Sequence, residues 1–227
     1  KFQLLQMKDE SLQLSGLLER IGENQAELSL SLGDGATRRE RVDAGSHEQG
    51  MMLILDALKA SQLLTDSQPL SAIGHRVVHG GEAFSAPVLL DDVSIERIRD
   101  CIPLAPLHNP VNLAGIEACR RLFPELPQVA VFDTAFHQNM PESAWRYAVP
   151  ESWYRDYGVR RYGFHGTSHA YVARQAAHWL GRPLGQCNLI TLHLGNGASA
   201  CAIEQGHCRD TSMGMTPPRL VCSPAQH

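Results

Sequence analysis

The stretch "RYGFHGTSHAYVA", residues 161 to 173, sets His165 and His169 four apart around Gly-Thr-Ser. Three chemistries compete for it: a helical zinc pair, a loop that receives an anion, or buried structural histidines. A zinc pair needs both rings on one helical face, and the HExxH pattern needs a glutamate beside the first histidine. Neither condition holds. Thr167-Ser168 reads as the N-cap of a helix over 168–181, so His165 precedes the helix and the two rings do not share a face. A histidine just before a helix N-terminus, beside backbone N–H groups, suits an anion.

Four other stretches carry candidate chemistry. In "HLGNGAS", His193 to Ser199, two glycines around Asn196 permit positive φ and close approach of a ligand to backbone N–H groups. A plain Asn-Gly hairpin turn is the alternative. In "VFDTAFH", Asp133 emerges from an apolar strand, where a carboxylate is costly unless paired, hydrogen-bonded or metal-bound. It reads as a turn cap or as an acid at the sheet edge where α/β folds bind ligands. In "GHRVVHGG", Arg76 sits in an apolar strand and wants a planar anion, from a substrate or from a protein carboxylate. His75 and His79 do not share a face there. In "PLAPLHNP", the prolines stop a helix, and His108 is a loop histidine.

The elements that must position these residues follow from pattern. Residues 1 to 45 alternate between apolar and polar, broken by Gly and Asp, and read as a β-meander. Residues 46–64 read as a helix capped by Ser46. A strand follows at 71–81. Residues 94–123 give a helix, a proline-broken loop at 103–110 and a second helix from about Val111. A buried strand over 127–137 ends at Asp133. The helix over 168–181 stops at Gly181. Residues 187–214 read as two strands around a glycine-rich turn. This is an α/β pattern with a mixed sheet.

The chain has 227 residues, 43% hydrophobic and 19% charged, with a formal net charge of −4. These values suit a globular chain and supply no basic footprint for nucleic acid. No apolar run reaches the ~18 residues of a membrane span, and the first residues lack the apolar core of a signal peptide. The six cysteines form no CxxC pair and no zinc-finger spacing, and read as reduced, mostly buried cytosolic thiols.

Taken together and in order, "GHRVVHGGE", "PLAPLHNP", "VAVFDTAFHQ", "RYGFHGTSH", "HLGNGASACAI" and "DTSMGMTP" resemble the acetate kinase family, from residue 1 to about Pro217. The resemblance implies a ribonuclease H-like fold of the actin-like ATPase superfamily. Residues 1–135 would be most of a first domain, 136–217 the start of a second, nucleotide-binding one, and 218–227 an aberrant tail. It implies reversible transfer of the ATP γ-phosphoryl group to acetate, giving acetyl phosphate and ADP, with Mg2+ or Mn2+. Propionate is the alternative acceptor. Arg76 resembles the arginine that binds the substrate carboxylate, Asp133 the catalytic aspartate, and His165 the histidine that stabilises the transferring phosphoryl. Val78, Leu107, Phe164 and Pro217 resemble the lining of the methyl pocket. Lys1 and His193, Leu194, Gly195, Asn196 and Gly197 resemble the ATP-binding residues. His108 and His169 are supporting residues, and no residue is assigned as a metal ligand. A homodimer in the cytoplasm is implied, with no nucleic-acid or membrane partner.

The family pattern begins before Lys1 with a phosphate-binding strand. Beyond Pro217 it continues with a segment that supplies a second arginine, where this chain reads "PRLVCSPAQH". The expectation is a chain truncated at both ends, with its last ten residues from a shifted reading frame and little or no kinase activity of its own.

Overall fold

The computed structural model describes residues 1–216 except 24, 34, 36, 66–68 and 196. Two compact units are present, Lys1–Ala72 with Ala114–Leu126, and Ile73–Leu113 with Pro127–His227.

The first unit holds the expected meander: β1 (Phe2–Gln6), β2 (Ser11–Glu19), β3 (Ala26–Leu32) and β4 (Thr37–Val42), antiparallel in sequence order. Alternation puts Leu14 and Leu18 of β2 on one face, opposite Leu32 and Leu28 of β3. Helix α1 (His47–Ala60) covers that face with Ile54 and Leu58, which pack with Leu14. Burying each such side chain contributes about 1.5–3 kcal/mol. Ser46 caps α1 as expected, its hydroxyl accepting from the Gln49 N–H at 3.2 Å.

In the second unit, β5 (Ile73–Val77) runs parallel to β7 (Gln128–Phe132), and the short β6 (Val88–Leu89) pairs with β7 on its other side, antiparallel. Parallel strands need a crossover. Here the chain passes through α2 (Asp92–Asp100) and α3 (Asn109–Leu122). Helix α3 starts two residues before the expected Val111, because Pro110 falls in its first turn, where a missing N–H costs nothing.

Strands β8 (Asn188–Leu194), β9 (Ala198–Glu204) and β10 (His207–Thr211) form an antiparallel sheet in the order β10-β9-β8. The sequence suggested two strands. The third forms because Gln205 and Gly206 take φ of 51° and 82°, the double positive of a two-residue hairpin turn. Glutamine is not the usual first residue of such a turn. Helices α4 (Glu142–Trp145) and α5 (Glu151–Tyr157) were not anticipated. Helix α6 (Gly166–Trp179) turns His169, Ala173 and Ala177 inward, and Ala173 packs against Met140, Cys201, Ile203 and Cys208. Gly181 ends it as expected: its N–H bonds the His178 carbonyl and the Arg182 N–H bonds that of Ala177, a Schellman closure. On β8, Ile190, Leu192 and Leu194 stand exposed in a row.

Cys101, Cys119, Cys187, Cys201 and Cys208 are buried free thiols, matching the core reading. Burial pushes Cys101 and Cys119 up to about 11. Among the described residues, no helix is long and apolar enough to cross a membrane.

Candidate functional site

The parallel register sets Arg76 beside Val131 and Val77 beside Phe132, and the Asp133 N–H extends the ladder to the Val77 carbonyl at 3.0 Å. Asp133 therefore leaves the end of β7 next to the Arg76 side chain. Arg76 Nε donates to Oδ1 at 2.8 Å and Nη2 to Oδ2 at 2.6 Å, a two-pronged ion pair. The Asp133 side chain is 3% exposed and that of Arg76 62%. The carboxylate is thus satisfied, and the guanidinium keeps an open edge that includes Nη1. This pairing is the main reason the guanidinium pKa is raised.

The Asp133 carbonyl accepts the Gly166 N–H at 2.8 Å. A Cβ on Gly166 would stand 2.4 Å from that carbonyl oxygen, so only glycine allows the loop to lie there. The loop delivers His165, which is the N-cap of α6 in the left-handed conformation, φ 59°. Thr167 and Ser168 therefore do not cap the helix, as sequence reasoning had it. Ser168 lies inside the first turn and its hydroxyl meets His193 Nδ1 at 3.0 Å. The His165 and His193 rings stack at 4.0 Å with 28° between planes. Gly197 lies close enough that a Cβ there would be 3.1 Å from His165 Cε1.

The four-apart histidines do come together, contrary to the sequence expectation, on a residue between them in space. His165 Nδ1 and His169 Nε2 each lie 2.9 Å from the Ser199 hydroxyl, and His169 Nδ1 lies 2.8 Å from the Thr191 hydroxyl. A hydroxyl donates one proton, so the four groups form a directional relay. If Thr191 donates to His169, then His169 donates to Ser199, Ser199 donates to His165 Nδ1, and His165 Nε2 carries a proton outward. The reversed relay leaves Nε2 bare. An anion at Nε2 selects the first arrangement. Burial, chiefly, then the neighbouring His193, lowers the His165 pKa, while Asp133 opposes and Arg76 assists. Burial first, then His137, takes His169 down to about 4. Both imidazoles are neutral near pH 7.

The electrostatic coupling of His165 to Asp133, Arg76 and His193 puts these four in one site. Gly195 and Gly197 belong to the β8–β9 hairpin, where the Gly195 N–H bonds the Gly197 carbonyl at 3.1 Å; Leu194 is exposed. Asn196 and Pro217 lie outside the described residues. Val78 is half-buried and its N–H meets Asn112 Oδ1 at 3.0 Å. Phe164 is buried against His79, while Leu107 and His108 are exposed. Lys1 is an exposed residue of the first unit. Beside His108, Asn109 is the buried residue: its amide bonds both the His79 N–H at 3.2 Å and the His79 carbonyl at 2.9 Å. Sequence reasoning gave Ser168 only a capping role and assigned no contact to Asn109, Thr191 or Ser199. Only the small-residue character of "GAS" hinted at the last.

The arrangement offers a fixed cation, neutral imidazoles and a glycine turn, a set of groups suited to an anion. A Mg2+ ion wants about six oxygens in octahedral array. This cluster has one carboxylate, Asp133, with both oxygens held by Arg76, so it forms no cation cage by itself.

Comparison with known proteins shows what the chain as a whole is similar to. The family model described as "Acetokinase family" matches residues 1–221. The acetate kinase of Deinococcus radiodurans is 55% identical over 217 residues, 96% of this chain and 54% of that protein. That of Streptomyces coelicolor is 53% identical over 218 residues, again 96% and 54%. The crystal structure of Porphyromonas gingivalis acetate kinase superposes with a TM-score of 0.88 at 43% identity, covering 95% of this chain and 54% of that one. A propionate kinase from Francisella tularensis gives 0.87 at 42% identity, with the same coverages. These likenesses bear out the α/β, actin-like ATPase fold class. The chain spans about half the length of the relatives it matches. With the model matched along nearly the whole chain, this protein belongs to the acetokinase family.

Proposed function

We propose that this site serves an acetate kinase, moving the γ-phosphoryl group of ATP to acetate to give acetyl phosphate and ADP, reversibly. The single observation that carries the reading is the Arg76–Asp133 pair sharing one electrostatic neighbourhood with the His165–His193 stack. Asp133 holds the guanidinium plane and Arg76 offers its open edge to the acetate carboxylate, which lowers the repulsion between two anions that must meet in line. The relay through Ser199 leaves His165 Nε2–H as a donor to the transferring group. A donor aimed at developing charge typically contributes about 2.7–4 kcal/mol. His193 to Gly197, with Asn196, would contact the nucleotide phosphates, and Lys1 is assigned to the same role. Val78, Leu107, Phe164 and Pro217 would surround the acetate methyl. Mg2+ or Mn2+ would arrive bound to the phosphates, whose charge it neutralises. Residues 1–135 and 136–217 are proposed as parts of two ribonuclease H-like domains, in a cytoplasmic homodimer.

Propionate is the second reading, supported by the near-equal likeness to a propionate kinase. One methylene is worth only ~1–3 kcal/mol in an apolar pocket, so the two acceptors separate weakly. The remaining reading is a chain that binds nucleotide without turning it over. Trapping acetyl phosphate as its hydroxamate, from ATP with acetate or propionate, tests all three. Acetate favoured in kcat/KM supports the proposal, and propionate favoured replaces it with the second reading. No hydroxamate from either acid, with ADP still retained in equilibrium dialysis, supports the inactive chain.

A further inference from the structure

Behind the histidine relay of this site, His137, Cys201 and Cys208 meet in the core of the second unit, with their donor atoms within 4.8 Å of one another. Cys201 Sγ lies 3.3 Å from Cys208 Sγ, and Cys208 Sγ lies 3.0 Å from His137 Nδ1. All three side chains are buried. The far nitrogen of His137, Nε2, is 2.9 Å from the Phe164 carbonyl oxygen. A carbonyl only accepts, so Nε2 carries the ring proton and Nδ1 turns its lone pair to the sulfur. Imidazole ligands at metal centres are oriented in this way, the outer N–H tied down and the inner nitrogen bare. The backbone supports the arrangement from three elements. His137 is held on the 3₁₀ turn at 135–137, and the two cysteines lie on the paired strands β9 and β10. Cys208 faces Ile203, two residues from Cys201 and on the same face of β9.

We propose that His137, Cys201 and Cys208 form a binding site for a soft, thiophilic metal ion, with monovalent copper as the fitting species. Two sulfurs and one imidazole are a soft donor set. Structural zinc takes four ligands, and among the described residues no fourth histidine, cysteine or carboxylate joins this group. Met140 packs in the same cluster and adds a further polarizable sulfur to the wall. Coordination forms metal–sulfur and metal–nitrogen bonds and releases thiol protons to solvent. No electron is transferred. Because Phe164 precedes His165, an ion on His137 would anchor the loop that carries His165.

The test uses the whole chain, reduced and anaerobic, titrated with Cu(I) held by bathocuproine disulfonate. The expected result is one copper per chain and an X-ray absorption shell of two sulfurs and one nitrogen. Cys201→Ala and Cys208→Ala should each weaken uptake at least tenfold, and Cys101→Ala should not. Should the variants fail to fold, the absorption shell of the unaltered chain still decides. No uptake, a shell lacking nitrogen, equal uptake by the variants, or preferential retention of Zn(II) would each overturn the proposal. So would closure of a Cys201–Cys208 disulfide in place of copper uptake.

Discussion

Replacing Ser199 by alanine removes one hydroxyl and breaks contacts to two histidines, each at 2.9 Å. The two losses differ in cost. His165 is half-buried, so water replaces the hydroxyl there. His169 is 1% exposed, and among the described residues its Nε2 bonds only Ser199. A buried polar atom left unsatisfied costs about 1–3 kcal/mol, which sets the expected loss of unfolding free energy in a urea titration. The relay also fixes which nitrogen of His165 holds the proton. Without Ser199, the imidazole 15N shifts of His165 should move from one tautomer toward a mixture, while His193, anchored to Ser168, stays as it is. Ser199→Thr keeps the hydroxyl and should restore the tautomer even if its methyl costs stability. A stability change under about 0.5 kcal/mol, the range of an ordinary surface substitution, together with unchanged 15N shifts, would refute the relay.

Acid should weaken the fold early. His79 and His169 are both depressed to about 4, mainly by burial, against 6.5 when unfolded. The unfolded chain binds protons that the native chain does not, so stability is full above about 6.5 and falls as pH drops toward 4, by at most ~1.4 kcal/mol per pH unit for each histidine; urea midpoints at pH 7, 6 and 5 measure it. Arg76→Lys loses the two-pronged grip on a buried carboxylate and should cost about 1–3 kcal/mol in the same titration, with a weaker hold on acetate in saturation-transfer NMR. Gly166→Ala must push a Cβ off the Asp133 carbonyl and should cost about 1–3 kcal/mol, lowering the melting temperature and separating the His165 and His193 ring signals in NMR.

The parts legible in the sequence were those set by local period and local bonds. The meander follows from alternation, α1 from its Ser46 cap, and the position of Asp133 from the apolar run that ends there. What could not be read depended on partners distant in the chain. Ser168 has the chemistry of a cap, yet a left-handed His165 takes the capping position and Ser168 turns to His193. That same left-handed residue swings the His165 ring out of helical phase, so the spacing of four misled in both directions: no helical face is shared, yet Ser199 gathers both rings. For Arg76 the sequence left a substrate anion and a protein carboxylate as rivals. The structure provides the carboxylate, and an open guanidinium edge leaves room for both.

The parallel pairing of β5 with β7 also bears on how the chain is made. Arg76 precedes Asp133 by 57 residues. At the usual ~5–20 residues per second of translation, Arg76 leaves the ribosome roughly 3–11 s before its carboxylate exists. For that interval β5 lacks β7, its neighbour in the sheet among the described residues, and an unpaired edge invites the wrong partner. The segment that carries Arg76 thus waits without its carboxylate until Asp133 is made, an interval in which a chaperone would protect the strand.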